Sequence, residues 1–343
     1  MPRPHSAFVR SLAEQNGLNL VEATALTVRR RPCGKGFLYV DGNGKIVRDR
    51  HELDRLKSLA VPPAYSGVRY AADPLAHLQA IGIDAAGRLQ YRYHSKWTEV
   101  REALKARRLA RLARSLPAIE RAVARRLGGA DCTLEFAVVS IVRLVDRAAI
   151  RAGGESYARE RGTRGATTLL KSNVKVHRRT VMLAFKAKGG KTVSKEVRDG
   201  RLADAIGQLM RLPGRRLFQY RAGDGTIHPV RAGEVNAFLR EVAGRRISLK
   251  DFRTLVGSAG VLHALVATPA AASRRARRSQ IRSAVVEVAE ELGNTPTVCR
   301  KSYVHASVVS AFEEGKLSRL RKSPRSPIKK AALVARLVAR QGT

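Results

Sequence analysis

The sequence predicts an α+β protein in which a small β-rich N-terminal domain precedes a mainly helical domain carrying a small antiparallel sheet. Residues 34–96 contain short runs of β-forming residues bounded by turns. From residue 97 onward, most apolar residues recur three and four positions apart, which is the helical period. The length of 343 residues fits two such domains.

The N-terminal part divides into an arm and the β-rich domain. Residues 1–33 are polar and end in the basic run Arg29-Arg30-Arg31, so we interpret them as a loosely ordered basic arm with one short helix near residues 8–15. Within residues 34–96 we predict strands at 37–40, 68–70, 77–81 and 89–93, and a helix at 53–59. The Asp-Gly-Asn-Gly sequence at 41–44 is a strong hairpin signal.

Residues 97–315 form the predicted helical domain. Its helices are predicted at 98–116, 118–127, 134–152, 203–211, 232–242, 250–265, 273–292 and 298–314, with Pro117 separating the first two. Strands are predicted at 167–169, 174–176, 181–185 and 192–194, the last two joined by a hairpin turn. Residues 316–343 form a tail with nine Lys and Arg and no acid, in which 328–340 fits a basic amphipathic helix. A solvated tail and a DNA-contacting tail are equally compatible with it.

The charge of the chain indicates a polyanionic partner. Lys and Arg number 66 against 28 Asp and Glu, for a net charge of +38. A basic surface that merely reflects an Arg-rich composition is the alternative, but so large and distributed an excess favours nucleic acid. Binding is then expected to weaken steeply with salt, because each neutralised phosphate releases counterions.

Several classes of protein are excluded by what the sequence lacks. It has neither an eighteen-residue apolar run nor a secretory signal, so we expect no membrane association. Three widely spaced cysteines, Cys33, Cys132 and Cys299, indicate reduced thiols in a cytoplasm. No Walker loop, GxGxxG, HExxH, EF-hand loop or close carboxylate cluster occurs, so we predict no nucleotide, cofactor or metal.

Tyr303 is a candidate phosphate-attacking nucleophile because it follows Arg300 and Lys301. A free phenol has a pKa of about 10, and neighbouring cations favour the phenolate. A tyrosine on a helix is more often a packed aromatic, but the Gly293-Asn294-Thr295-Pro296 turn ahead of it predicts a helix break. That turn places Asn294 beside the tyrosine, as a phosphate donor, a helix cap, or both.

Three further cations are candidates for the same site. Arg253, in Lys250-Asp251-Phe252-Arg253-Thr254, has a planar fork suited to two phosphate oxygens. Arg151 follows an apolar helix, where it meets either an anion or simply the helix C-terminus. Lys188 lies at a predicted hairpin tip, as a proton donor or as an ordinary exposed lysine, with Lys191 as its rival.

These motifs together resemble the type IB DNA topoisomerases, of the compact poxvirus-like kind found in many bacteria, over residues 34–315. The resembling segments are Ile150-Arg151-Ala152-Gly153, Ala187-Lys188-Gly189-Gly190-Lys191, Lys250 to Thr254, Gly293 to Pro296 with Ser302-Tyr303, and, in the N-terminal domain, Val61 to Tyr65, His77 to Ala80 and Gly87 to His94. The chain departs from the family pattern at Leu255, where Trp is usual, at Ser258 for Thr, at Tyr65 for Trp and at Ala76 for Gly.

The resemblance implies a two-lobed DNA clamp, an isomerase activity and a set of residue roles. Tyr303 would form a 3′-phosphotyrosyl bond, Arg151, Arg253 and Asn294 would bind the phosphate, and Lys188 would protonate the leaving 5′-oxygen. The nicked strand would swivel and be religated without ATP or metal. Gln90, Tyr91 and Tyr157 match positions that touch double-stranded DNA. The family also implies a monomer in the cytoplasm, associated with the nucleoid.

Two other functions remain open at this stage. A tyrosine site-specific recombinase uses similar Arg-Lys-Arg-Tyr chemistry on a related helical domain. The sequence motif around Arg253 and the β-rich N-terminal domain favour the topoisomerase. A non-catalytic DNA-compacting protein would show the same charge, but the complete set of five candidate residues argues against it.

Overall fold

The computed structural model describes residues 7–129, 131–320 and 326–339. Their contacts divide the chain into two compact units, Met1–Leu104 and Lys105–Thr343. The first unit is rich in strands and the second is mainly helical, which confirms the predicted α+β class.

In its described residues, the first unit contains a five-stranded antiparallel sheet and two α-helices, and it ends in the first turns of a third helix that begins at Trp97. Its elements are α1 (Ala7–Gln15), β1 (Val28–Cys33), β2 (Gly36–Val40), α2 (Arg50–Ser58), β3 (Ser66–Tyr70), β4 (Leu78–Ile83) and β5 (Leu89–Tyr93). The strand order is β2-β1-β3-β4-β5, so each predicted strand of this unit is confirmed. Helix α2 begins where the Asp49 side chain accepts a hydrogen bond of 2.7 Å from the Glu52 amide.

The prediction of a loosely ordered arm over residues 1–33 is wrong for its last part, and residues 1–6 lie outside the described residues. Residues 28–33 form β1, which lies between β2 and β3. Val28 is buried in the core of this unit. The Arg30 guanidinium is anchored rather than free, because it donates to the carbonyls of Val61 and Tyr65 at 2.8 and 2.9 Å. Part of the basic run therefore stabilises the fold.

The second unit surrounds a larger core and contains a three-stranded antiparallel sheet in the order β6-β7-β8. Its elements are α3 (Trp97–Arg126, which starts in the first unit), α4 (Leu134–Ala148), α5 (Glu155–Arg161), β6 (Val174–His177), β7 (Thr180–Lys186), β8 (Thr192–Arg198), α6 (Gly200–Arg211), β9 (Gln219–Arg221), β10 (Ile227–Pro229), α7 (Ala232–Ala243), α8 (Leu249–Ala267), α9 (Arg274–Glu291), α10 (Pro296–Ser302), α11 (Ala306–Glu313) and α12 (Pro327–Ala339). The predicted β6, β7 and β8 are confirmed, while α5 and the β9–β10 hairpin were not predicted.

Helix α3 contradicts the predicted break at Pro117, since it continues through that residue. Leu112, Leu116 and Ile119 are all buried in the core, so the apolar face of the helix runs past the proline without interruption. An interior proline costs about 3 kcal/mol. Burying several leucine and isoleucine side chains at roughly 1.5–3 kcal/mol each outweighs that cost.

Three other boundaries differ from the predictions. The predicted strand at 167–169 is instead a turn of 3-10 helix, Ala166–Thr168, in which the Thr168 hydroxyl bonds locally to Gly165. Helix α4 ends four residues early, at a left-handed Ala149 with φ 51°. The helix predicted over 298–314 is divided into α10 and α11, because the helical conformation is interrupted from Tyr303 to His305.

The C-terminal tail forms the predicted helix, α12, within residues 326–339, whereas residues 321–325 and 340–343 lie outside the described part. Ala331, Leu333, Val334 and Val338 are buried in the same core as the rest of the second unit. This helix is therefore part of the packed unit and not a solvated extension. Over the described part of the chain, no helix has the length and apolar character needed to span a membrane.

Candidate active site

Arg253 is held by two backbone carbonyls at the ends of helices. It lies on α8, with only 3% of its surface exposed. Its Nη1 donates to the carbonyl of Ala149, and its Nη2 donates to that of Leu292 at 2.9 Å. Among the described residues, its buried Nε has no hydrogen-bond partner. Since a guanidinium has five N–H donors, this anchored side chain keeps donors for an anion.

The left-handed backbone at Ala149 belongs to this arrangement. A non-glycine residue at positive φ costs about 1–3 kcal/mol and persists only where the surroundings enforce it. The residue's carbonyl is one of the two that hold Arg253, and the chain leads directly on through Ile150 to Arg151. Because α4 ends early, the Ala149 carbonyl accepts from Arg253, and the chain leaves the helix just before Arg151.

Arg151 and Asn294 are brought together although 143 residues separate them in the chain. The Arg151 Nη2 donates to the Asn294 Oδ1. The Asn294 Nδ2 in turn donates to the Leu292 carbonyl at 3.2 Å, and this carbonyl also accepts from Arg253. One hydrogen-bond network therefore connects Arg151, Asn294 and Arg253.

The backbone beneath Arg151 is fixed by a close crossing of two segments. The Arg151 carbonyl accepts from the Ala166 amide at 2.8 Å. A Cβ on Gly165 would lie 2.6 Å from the same carbonyl oxygen and 2.5 Å from the Gly153 nitrogen. Only glycine fits at this crossing, so the local structure requires Gly165 for a physical reason.

Tyr303 lies at the break between α10 and α11, with 8% of its surface exposed. The Arg253 Cζ lies 4.9 Å from the centroid of its ring. Burial by itself raises the pKa of the phenol, but the Arg253 and Arg151 guanidinium groups lower that pKa further than burial raises it. The net pKa of the phenol therefore lies below its ordinary value, which favours the nucleophilic phenolate.

Lys188 is placed apart from this network, at the exposed tip of the β7–β8 hairpin. Its Nζ lies 5.7 Å from the ring centroid of Tyr157. Gly189 and Gly190 both have positive φ, and the Ala187 amide donates to the Lys191 carbonyl at 2.8 Å to close the turn. The structure thus brings Tyr303, Arg151, Arg253 and Asn294 together. Lys188 and Lys191 are exposed on the hairpin and, among the described residues, take no part in this hydrogen-bond network.

Lys195 was missed in the sequence analysis. A cavity of about 100 Å³ is lined by Lys195 of β8 together with Arg151 and Arg253. Burial lowers the pKa of the Lys195 amine, Glu291 opposes this shift and Arg253 adds to it. The strand alternation was an available signal, because Lys195 lies two residues from the partly buried Val193 and the buried Val197 on the same strand face.

The residues expected to touch DNA have different environments. Tyr91 on β5 is 47% exposed, and its ring lies nearly parallel to that of Tyr93 with centroids 6.1 Å apart. Gln90 donates through its Nε2 to the Asp84 carboxylate at 2.8 Å. Tyr157 on α5 is also 47% exposed, so it is not part of the core. Leu255, the departure next to Arg253, is buried in the core.

The chain is similar to known DNA topoisomerases. Residues 94–329 match the family model "Eukaryotic DNA topoisomerase I, catalytic core", and residues 36–84 match "Bacterial DNA topoisomerase IB, N-terminal domain". A curated relative, "DNA topoisomerase 1B" of Acanthamoeba polyphaga mimivirus, is 31% identical over 288 residues, which cover 81% of this chain and 84% of the viral protein.

A helical unit preceded by a strand-rich one, each matched by a topoisomerase family model, defines the class of DNA topoisomerases. Within that class, this chain belongs to the type IB DNA topoisomerases. It is a DNA topoisomerase, an isomerase whose partner is DNA. The family prediction is confirmed.

Proposed function

We propose that Tyr303 is the nucleophile that cleaves one DNA strand. Its phenolate oxygen attacks the phosphorus of a backbone phosphodiester, and a 3′-phosphotyrosyl bond forms as the bond to the 5′-oxygen breaks. The freed strand end swivels about the intact strand, after which the 5′-hydroxyl attacks the phosphotyrosine and restores the original linkage. The observation that carries this proposal is the Arg253 guanidinium 4.9 Å from the ring of a tyrosine with a lowered pKa.

Arg151, Arg253 and Asn294 bind the nonbridging oxygens of the phosphate. Two guanidinium groups supply charge where negative charge builds in the transition state, and a single preorganised donor of this kind is typically worth about 2.7–4 kcal/mol. The backbone carbonyls that hold Arg253 support this role, because the guanidinium is positioned before DNA binds. The Arg151–Asn294 bond occupies an acceptor of the amide and leaves Arg151 further donors for phosphate.

Lys188 protonates the departing 5′-oxygen. Its exposed position on a turn with two glycines at positive φ is suited to reaching DNA. General-acid catalysis by such a group typically contributes about 10²- to 10⁴-fold. Bound DNA would contact both the hairpin and the arginines, so that the Lys188 amine meets the departing 5′-oxygen.

The Lys188 assignment is tested by a pair of variants. Lys188→Ala is expected to slow covalent adduct formation by about 10²-fold or more, because it removes the proton donor for the leaving oxygen. Lys191→Ala, three residues away on the same exposed turn, removes an equal charge and is expected to reduce only the salt-sensitive part of binding. Adduct formation is measured as protein-linked DNA after a denaturant quench, and the reverse pattern would assign the acid to Lys191.

Both units contact double-stranded DNA in this proposal. Tyr91 and Gln90 of the first unit and Tyr157 of the second present exposed or partly exposed groups, and the net charge of +38 supports broad contact with backbone phosphates. A two-lobed clamp, a monomeric enzyme and a place on the nucleoid in the cytoplasm follow from the family resemblance and belong to the proposal.

Relaxation is expected to need neither nucleotide nor metal. Exchange of one phosphoester for another conserves the bond energy, and the supercoil supplies the driving force. A negatively supercoiled plasmid should therefore be relaxed in EDTA and without ATP, as seen on an agarose gel. Strand exchange between two specific sites would indicate a recombinase instead, and DNA binding without relaxation would indicate a DNA-compacting protein.

A further inference from the structure

The backbone at Tyr303 is supported by the neighbouring helix α8. Helix α10 ends at Ser302, Tyr303 has φ −124° and ψ −17°, and α11 begins only at Ala306. A break between helices leaves backbone groups without partners from the helical ladder. Two such groups are the Tyr303 carbonyl and the His305 amide, and both are buried with their residues.

A single hydroxyl on α8 bonds both groups. The Ser258 Oγ donates to the Tyr303 carbonyl at 3.0 Å and accepts from the His305 amide at 3.1 Å. Ser258 has no exposed surface. Since water does not reach this buried position, a side chain without a hydroxyl would lose both hydrogen bonds with no solvent to replace them.

The residue before it lets the two segments approach at the level of the backbone. A Cβ on Gly257 would lie 2.8 Å from both the Cβ and the carbonyl oxygen of Tyr303. Real Cβ atoms are not found so close, so a side chain here would push the tyrosine away from α8. Gly257 follows Arg253 by one helical turn and lies on the same face of α8.

One face of α8 thus contacts Tyr303 at both ends of the residue. Arg253 lies over the ring at 4.9 Å, while Gly257 and Ser258 hold the backbone. A movement of the Tyr303 backbone would change the separation between the phenol and the guanidinium. A misplacement of about 1 Å in a reacting group can cost about 10²-fold in rate.

We propose that Gly257 and Ser258 are positioning residues for the nucleophile: they fix the tyrosine backbone on α8 so that its ring lies beside the Arg253 guanidinium. This inference rests on the proposed role of Tyr303. It assigns a function to two residues that contact the backbone and Cβ of Tyr303.

The experiment compares Ser258→Ala with Ser258→Thr, which keeps the hydroxyl. Adduct formation on a supercoiled plasmid is followed in a single turnover at saturating protein, and DNA affinity is measured separately. Ser258→Ala is expected to slow adduct formation by about 10- to 100-fold with an unchanged Kd. Its pH–rate profile should also shift toward higher pH, because the displaced phenol loses part of the effect of Arg253. Ser258→Thr should restore both the rate and the profile.

Ser140→Ala is the matched control for a purely structural loss. Ser140 is likewise unexposed, and its hydroxyl donates to a backbone carbonyl, that of Phe136, at 2.8 Å. This bond lies within α4, so the variant should lose thermal stability while keeping the rate and the pH profile. Gly257→Ala should behave as Ser258→Ala does; if it fails to fold, the Ser258 pair decides the question alone.

The outcomes separate this inference from the function on which it rests. A wild-type rate and pH profile in Ser258→Ala, or an equal slowing in Ser140→Ala, would overturn the positioning role. Tyr303→Phe is run in the same assay. If it still forms an adduct, the assigned nucleophile is wrong; if it forms none while Ser258→Ala is normal, only the positioning role fails.

Discussion

Tyr303→Phe is expected to abolish covalent adduct formation and plasmid relaxation while DNA binding remains at the wild-type level. The substitution removes only the phenolic oxygen that attacks phosphorus. The ring stays buried in the core and stays beside the Arg253 guanidinium, so the fold and the phosphate site are preserved. Because covalent catalysis has no substitute nucleophile here, the loss should reach the detection limit of the assay.

Tyr220→Phe is the matched control. Tyr220 is a partly buried tyrosine on β9, its ring lies beside His228, and it takes no part in the Arg253 network. It should retain full activity. Mass spectrometry of the denatured, nuclease-trimmed adduct should locate the nucleotide on the peptide that contains Tyr303. Relaxation by Tyr303→Phe, or attachment to another residue, would refute the proposed mechanism.

Arg253→Gln is expected to reduce the cleavage rate by about 10²- to 10³-fold at neutral pH, since it removes a preorganised charged donor from the phosphate site. It should also change the pH dependence. Arg253 is the largest of the influences that lower the pKa of Tyr303, so its loss lets that pKa rise. The phenolate then forms only at higher pH, and the deficit relative to the wild type should shrink as the pH is raised.

Arg277→Gln tests whether the loss of any anchored arginine has the same effect. Arg277 on α9 donates to the carbonyls of Ala271, Ala272 and Glu313, so it also holds backbone segments together. Its removal should lower thermal stability without changing the pH–rate profile. Single-turnover cleavage over a range of pH distinguishes the two. A deficit in Arg253→Gln that is the same at every pH would contradict the electrostatic role.

Local pattern explains which parts of the fold were predictable. The short apolar run at residues 181–185 predicted β7, and the apolar spacing in residues 232–242 predicted α7, because these signals come from neighbours in the chain. The continuous α3 was not predicted, since the cost of Pro117 is local whereas the burial that outweighs it is tertiary. β1 was missed for a similar reason. A run of arginines predicts a solvated segment, and the carbonyls that bind Arg30 come from residues more than thirty positions away in the chain.

The candidate site was predictable as residue types and not as geometry. Motif resemblance selected Tyr303, Arg151, Arg253 and Asn294, and the structure joins the last three through hydrogen bonds. Resemblance did not indicate that the helix would break at the tyrosine, since residues 298–314 have an uninterrupted helical period. At that break, the Ser258 hydroxyl bonds the Tyr303 carbonyl and the His305 amide, and this contact comes from a distant segment of the chain.

By itself, the sequence determined the α+β class, the affinity for a polyanion and the identities of the groups that can perform phosphoryl transfer. These follow from period, net charge and residue chemistry, which are properties of the chain before it folds. Only the tertiary structure decided which of its 66 Lys and Arg act on the tyrosine. Two backbone carbonyls hold the Arg253 guanidinium and the Asn294 side chain holds that of Arg151, and these two guanidinium groups lower the pKa of the phenol.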